Sequence, residues 1–404
     1  MRLKDVAKVN QRSLSDSVAD DYEFQYIDIG SVSLENGIEL GNPIPFWDAP
    51  SRARRIVKKG DVLVSTVRTY LRAIADIDWD AKDVIASTGF AVYSPNYNVS
   101  SRFLAYSVKS TEVINQICSV SKGVSYPAIQ EPILSSVSIP YYDMETQNKI
   151  ADYLDKECGR IGQEIELLER KADAYRRLRR SIINQAVTRG LNPNVKMVPS
   201  GNKWIGDIPE HWTIKRNKDL FFERDCVSDT GEEDLLSVSE YYGVAKRADK
   251  VDSENISRAE SLVGYKKCFV GDIVMNIMLA WKGSQGRSDY NGIVSPAYGV
   301  YAPLGDINTR YFHYLFRSDR YKKIYYAFSK GIIESRLRLY AYIFFGLFAH
   351  VPPKEEQDAI VNFIDDKCNK IEAIESKIAE KIEKLKALKR SLINEVVTGQ
   401  RAII

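Results

Sequence analysis

Apolar residues recur at steps of three, four or seven along two stretches of the chain. The first is Ile150, Leu154, Ile161, Ile165, Leu168, Tyr175, Leu178 and Ile182; the second is Ile360, Ile364, Ile371, Ile378, Ile382, Leu385, Leu388 and Leu392. Such spacing lays one apolar stripe along a helix, with Lys and Glu on the remaining faces. Each stretch runs about 42 residues, which at 1.5 Å per residue is a helix of roughly 60 Å, longer than one small domain needs. A lone helix would leave its stripe in water, so the two stripes are expected to pair as an antiparallel coiled coil. The alternative is that each packs only on the domain before it. Pro140 and Pro352 mark where those domains hand over to the helices. Ahead of each helix, short apolar runs between Gly, Pro and Asn turns predict strands over 61–67 and 90–93 and a helix near 102–119. The second copy has a strand over 272–277 and a helix near 310–328. The expected fold class is therefore α/β (α+β) globular domains, two copies, joined by two long α-helices.

The two halves are a tandem repeat. Gln147 to Thr188 aligns without a gap on Gln357 to Thr398, and 13 of the 42 pairs are identical, among them Gln147 with Gln357 and Cys158 with Cys368. Upstream, Gly60-Asp61-Val62 answers to Gly271-Asp272-Ile273, and Ser121-Lys122-Gly123 to Ser329-Lys330-Gly331. Arg2, Lys4 and Asp5 match Arg216, Lys218 and Asp219. The expected organisation is a first module over 1–144, a long helix and linker over 145–198, a second module over 199–353 and a second long helix over 354–404.

Composition narrows the function. With 44% apolar and 27% charged residues the 404-residue chain is globular. It shows no signal-peptide pattern and no run long enough to span a bilayer, so a cytoplasmic location and no membrane partner are expected. Five scattered cysteines have neither zinc-ligand nor disulfide spacing, so no metal is expected. No phosphate-cradling loop, GxGxxG, GxSxG elbow or HExxH is present, and His211, His313 and His350 lie far apart. Asn42-Pro43-Ile44-Pro45-Phe46 and Ser295-Pro296-Ala297-Tyr298 only approach the short proline motif of DNA amino-methyltransferases, and no glycine-rich cofactor loop accompanies them. The chain reads as non-catalytic, with no cofactor of its own.

A net charge of +3 does not announce a nucleic-acid partner, so the distribution of charge must decide it, the alternative for each basic run being a solvated charged face. Arg52, Arg54 and Arg55 crowd a segment with no acidic residue. After the first Gly-Asp strand comes Ser65-Thr66-Val67-Arg68-Thr69-Tyr70-Leu71-Arg72. After the second come Asn276, Trp281, Lys282, Ser284, Gln285 and Arg287. A further basic loop follows each Ser-Lys-Gly: Lys122 with Ser125 and Tyr126, then Lys330 with Arg336, Arg338 and Tyr340. Arg and Lys suit guanine edges and phosphates, and Asn and Gln suit adenine, so double-stranded DNA is the expected partner of these loops.

The box Trp204-Ile205-Gly206-Asp207-Ile208-Pro209-Glu210-His211-Trp212, followed by Lys215-Arg216-Asn217-Lys218-Asp219-Leu220-Phe221, resembles the leading segment of a target-recognition domain in specificity subunits of type I restriction enzymes. Gln147 through Ser181-Ile182-Ile183-Asn184-Gln185-Ala186-Val187-Thr188-Arg189-Gly190 resembles their central conserved region, and the copy ending Ser391-Leu392-Ile393-Asn394-Glu395-Val396-Val397-Thr398-Gly399 resembles the distal one. The resemblance implies that each module reads one half of a split DNA target, while the helices set the spacing and dock two methyltransferase subunits. Those partners would bind S-adenosylmethionine; separate restriction/translocase subunits would use ATP and Mg. The first module has no copy of the Trp204 to Trp212 box, and packing against the carboxyl-terminal end is one way for its leading edge to close.

Overall fold

A computed structural model describes residues 1–34, 37–123, 126–250 and 261–403. The chain divides into two compact units, one formed by residues 1–170 with 377–404 and the other by residues 171–376. Each unit holds one module and a segment of each long helix. The division therefore runs through the helices, not between module and helix.

In the first unit the central sheet contains β1 (Ala7–Val9), β2 (Val62–Ser65), β3 (Ile74–Asp76) and β4 (Phe90–Pro95) in the order β1-β4-β2-β3, all antiparallel. All four residues of β2 are buried, as a strand covered on both faces requires. A second sheet pairs Glu23–Ile27 parallel to Val84–Ser87 and sets Ala53–Ile56 antiparallel on the other side. The helix expected near 102–119 is two helices, α1 (Ser101–Lys109) and α2 (Thr111–Val120). Ser110, extended between them, caps α2 by accepting from the Val113 amide at 3.4 Å. A serine at that point offers the backbone an alternative to continuing the helix, and two helices wrap the sheet better than one.

The second unit repeats this frame. Its sheet contains β5 (Phe221–Glu223), β6 (Ile273–Asn276), β7 (Gln285–Arg287) and β8 (Tyr298–Pro303) in the equivalent order β5-β8-β6-β7. The helix expected near 310–328 is again split, into α3 (Thr309–Arg317) and α4 (Asp319–Phe328), with Ser318 between them. The core is more aromatic: Phe221, Phe312, Phe316, Tyr321, Tyr325 and Phe344 are all fully buried around it.

The repeated residues hold equal places in both units. Gly60 and Gly271 adopt φ of +91° and +97° at the turn before β2 and β6. The following aspartate closes that turn: Asp61 accepts the Lys58 amide at 2.8 Å and pairs with Arg12, and Asp272 accepts the Phe269 amide at 2.8 Å and pairs with Arg224 at 2.6 Å. Gln147 accepts the Ser100 amide at 2.9 Å and donates to Tyr142 O at 2.7 Å; Gln357 does the same with Asn308 and Pro352, both at 2.9 Å. Each glutamine is buried and ties a long helix to the start of a module helix.

The first long helix spans Met144–Arg189 and the second Lys354–Val397. Within the first unit Ile150, Leu154, Cys158 and Ile161 pack with Leu392, Ile393, Val396 and Val397, and Lys381 pairs with Glu164 at 2.7 Å. Within the second, Arg179 pairs with Glu372 at 2.7 Å and Arg176 with Glu375 at 3.6 Å. Rising numbers on one helix meet falling numbers on the other in each unit, so the pairing is antiparallel. Both helices also end on a module. Asn394 accepts the Glu112 amide at 3.0 Å, capping α2, and Asn184 accepts the Asp319 amide at 3.1 Å, capping α4.

The carboxyl-terminal segment packs in the first unit, where the Tyr142 hydroxyl donates to Val397 O at 3.0 Å and Ile403 joins the helix cluster. In the second unit the Trp204 to Trp212 box forms a hairpin of Met197–Pro199 with Asp207–Pro209. Trp212 stacks on His350 at 5.5 Å and donates to Glu356 at 2.9 Å. No described helix is long and apolar enough to cross a membrane.

Candidate nucleic-acid interface

In each unit the loop after the second sheet strand is fastened to the loop after Ser-Lys-Gly. In the first, the Ile129 amide donates to Thr66 O at 2.8 Å and the Arg68 amide to Pro127 O at 2.6 Å. In the second, the Leu339 amide donates to Ile277 O at 2.9 Å. The Ser-Lys-Gly loop also folds back on itself: Lys122 exchanges backbone bonds with Ala128, and Lys330 with Arg338. The glycine permits this. Gly123 and Gly331 adopt φ of +117° and +154°, and a Cβ on Gly331 would stand 2.5 Å from Arg336 O.

In the first unit this arrangement faces Arg68, Tyr70 and Arg72 outward. Arg68 and Arg72 both take left-handed backbone at φ of +50° and +53°, bracketing one 3-10 turn over Thr69–Leu71. The Arg68 guanidinium lies 4.9 Å from the ring centre of the exposed Tyr126, which splints it at the surface. Lys122 is exposed beside them. Thr66 donates to Gly89 O at 2.9 Å, and the neighbouring Thr88 amide donates to Arg52 O at 2.8 Å, which brings the exposed Arg52 to the same loops.

Other expected contacts belong to the frame. Ser65, 3% exposed, donates to Val67 O, and Thr69, 5% exposed, donates to the Ser121 hydroxyl at 2.8 Å. Arg54 turns back onto Ala53 O, Asp16 and the Phe46 ring, and Arg55 is half-buried on its strand. In the second unit Asn276 turns the chain by accepting the Met278 amide at 3.1 Å, Ser284 donates to Val238 O at 3.0 Å, and the fully buried Gln285 donates to Phe316 O at 2.7 Å. Arg287 is held by Thr309 and Asp289, and burial, then the neighbouring Arg310, lowers its pKa. Trp281 is half-buried edge-on to Tyr326, and Arg338 is half-buried with Nη1 donating to Leu337 O. Nearby backbone takes most of these polar groups, as buried polar side chains require, while Gln285 Oε1, Trp281 Nε1 and Arg55 Nε are buried without a hydrogen-bond partner among the described residues. Ser125 lies outside the described residues.

Among the expected contact residues, the outward cations are thus Arg52, Arg68, Arg72 and Lys122 in the first unit, and Lys282, Lys330 and Arg336 in the second. Among the described residues none of these seven is in an ion pair, whereas Arg12, Arg54, Arg102, Arg224, Arg287 and Arg310 all are. Unpaired cations on fixed loops with exposed tyrosines suit phosphate contact and base-edge contact. Sequence reasoning missed Ile332 and Ile333, exposed on this loop of the second unit, and Tyr342, exposed on the short helix that follows it. Their signal was two consecutive aliphatic residues inside a polar loop.

Among the described residues no group of His, Cys, Asp and Glu could hold a metal ion. Residues 1–169 match the family model described as "Type I restriction modification DNA specificity domain". The type I restriction enzyme HindI specificity subunit of Haemophilus influenzae is 33% identical over 111 residues. That stretch is 26% of this chain, and the match spans only about a quarter (24%) of that subunit's length. The fold is similar to a chain solved in work on complex assembly and conformational transition of the type I R-M system, with a TM-score of 0.70, 20% identity and coverage of 99% of this chain and 97% of the other. It is also similar to the HsdS subunit from Thermoanaerobacter tengcongensis, with a TM-score of 0.50, 20% identity and coverage of 99% and 96%.

Proposed function

We propose that the chain, whose residues 1–169 match the model for type I restriction-modification DNA specificity domains, is the DNA-recognition subunit of such a system. Each unit reads one half of a split duplex target through its fastened pair of loops. The halves differ in sequence, because the frames repeat while the loop tips do not. Exposed cations that are in no ion pair among the described residues, Arg68, Arg72 and Lys122 in one unit and Lys330 and Arg336 in the other, stand on loops joined in the same way in both units, and they are the observation that carries this reading.

The long helices, of 46 and 44 residues, set the spacing between half-sites and dock two methyltransferase subunits. At 1.5 Å per residue they measure roughly 65 to 70 Å, close to two turns of B-DNA. The chain itself is non-catalytic. The methyltransferase partners bind S-adenosylmethionine and flip the target adenine from the duplex, and separate restriction/translocase subunits use ATP and Mg.

The test is a map of N6-methyladenine in host DNA with and without the gene. Loss of one gapped, two-part motif is the expected result and supplies the target. A purified complex with its methyltransferase partners that binds all duplexes equally would overturn the reading.

A further inference from the structure

The loop from Lys330 to Arg338 carries Ile332 and Ile333 at its tip, where the first copy of the repeat has Val124 and Ser125. Ile332 is 100% exposed and Ile333 54%. Neither contributes much to the packing of its own unit, and water is a poor solvent for two adjacent β-branched aliphatic side chains.

The loop is nonetheless built to hold them in place. Lys330 and Arg338 exchange backbone bonds at 2.9 and 2.8 Å, and the Arg336 amide donates to Ile333 O at 2.9 Å. The Tyr326 hydroxyl donates to Glu334 at 3.2 Å, Tyr326 packs edge-on to Trp281 at 5.4 Å, and Lys282 sits over Trp281 at 5.1 Å. This chain of contacts ties the loop to the segment that carries Lys282, and Lys330 and Arg336 stand on the loop itself. Tyr340 and Tyr342 follow, their rings parallel within 11° at 5.9 Å and both exposed. An apolar point rimmed by unpaired cations fits a polyanion that also offers apolar surface between its charges. Duplex DNA does so between stacked bases.

We propose that Ile332 and Ile333 form a wedge that enters the duplex and unstacks one base step in the half-site read by the second unit. Lys330, Arg336 and Lys282 hold the flanking phosphates. The first unit, which lacks the aliphatic pair, reads its half-site without unstacking. This rests on the DNA-recognition reading above.

The test uses the full chain assembled with its methyltransferase partners, and duplexes containing the mapped target with 2-aminopurine at successive positions of the second half-site. The wild-type complex is expected to raise fluorescence several-fold at one step away from the methylated adenine. The I332S/I333S variant is expected to abolish that rise and weaken binding to the target about 10-fold, while affinity for unrelated duplex and its salt dependence stay unchanged. The I332M/I333M variant is expected to retain the rise. Because the tip is exposed, all three proteins should melt together. Sequence-preferring binding with no such rise, or a rise that survives in I332S/I333S, overturns the wedge alone. Failure of I332S/I333S to assemble with its partners in the absence of DNA also overturns it and marks the tip as a protein contact. A wild-type complex with no sequence preference overturns the recognition reading and the wedge with it.

Discussion

The two units share a frame and differ at its edge. Asp61 and Asp272, Gln147 and Gln357, and Gly123 and Gly331 make the same bonds in each. At the edge, the first unit stacks Arg68 on Tyr126, whereas the second raises Ile332 and Ile333 between lysine and arginine. Where a side chain closes a buried turn its chemistry has few substitutes, so duplication preserved it. Where a side chain meets only solvent or a partner, the two copies were free to diverge. The difference between the units therefore marks the candidate interface more sharply than either unit alone.

The largest effect should come from erasing the difference. A chain carrying the second module in place of the first is expected to lose the original methylation motif entirely and gain a symmetric one, read by methylation mapping; an unchanged motif would break the link between unlike loops and unlike half-sites. Next, the shared frame should respond equally. Asp61→Ala and Asp272→Ala each remove a buried carboxylate that closes a turn and pairs with a half-buried arginine, and should cost about 1–3 kcal/mol in their own unit, measured by hydrogen exchange; a loss seen for one variant and not the other would show that the frames are not equivalent.

A pH prediction separates the units. All three histidines lie in the second. His350 is fully buried with Nε2 2.7 Å from Val187 O, and burial pushes its pKa down to about 4. Burial also lowers the pKa of His313, helped by Arg317 and Arg310. The fold holds the neutral ring, so the unfolded chain binds the proton more readily. The contribution of His350 is complete above its ordinary value of 6.5 and is lost as pH falls through about 4. That is about 3 kcal/mol, expected as a selective loss of exchange protection in the second unit that His350→Gln flattens. The smallest effect is at single loop residues. Arg68→Ala should cost about 1–3 kcal/mol and relax one base if the arginine reads an edge. Lys282→Ala should lower affinity evenly across sequences and reduce the salt slope by about one if the lysine holds a phosphate. Salt titrations on matched and mismatched duplexes distinguish the two.

Much of the frame was legible in the chain because repetition and periodicity record packing. The aligned Gly-Asp and Gln positions pointed to equal roles, and the stripes from Ile150 and Ile360 gave the long helices. Strand order was not legible: the parallel pairing of 25–27 with 84–86 joins segments some 60 residues apart, and nothing local encodes it. The breaks at Ser110 and Ser318 were hidden inside helical patterns that continue across them. At the candidate interface, residue type did not reveal direction. Ser65, Thr69, Ser284 and Gln285 have the inventory of groove readers, yet all four are buried and bonded within their own unit, because a hydroxyl or amide serves buried partners as well as it serves a base. Arginine and lysine divided: Arg68, Arg72 and Lys122 face outward, whereas Arg54, Arg287 and Arg338 are held by their own unit.

The first unit is discontinuous, closed by residues 377–404, while the second is one unbroken stretch. During synthesis the second can complete itself as it emerges, whereas the first must wait while about 200 residues are added, some 10–40 s at 5–20 residues per second. Until Asn394 reaches α2 and Leu392 covers the Ile150 stripe, the earlier-made half exposes an apolar helix face. The later-made half thus finishes folding first, and the vulnerable interval for aggregation or chaperone capture belongs to the first.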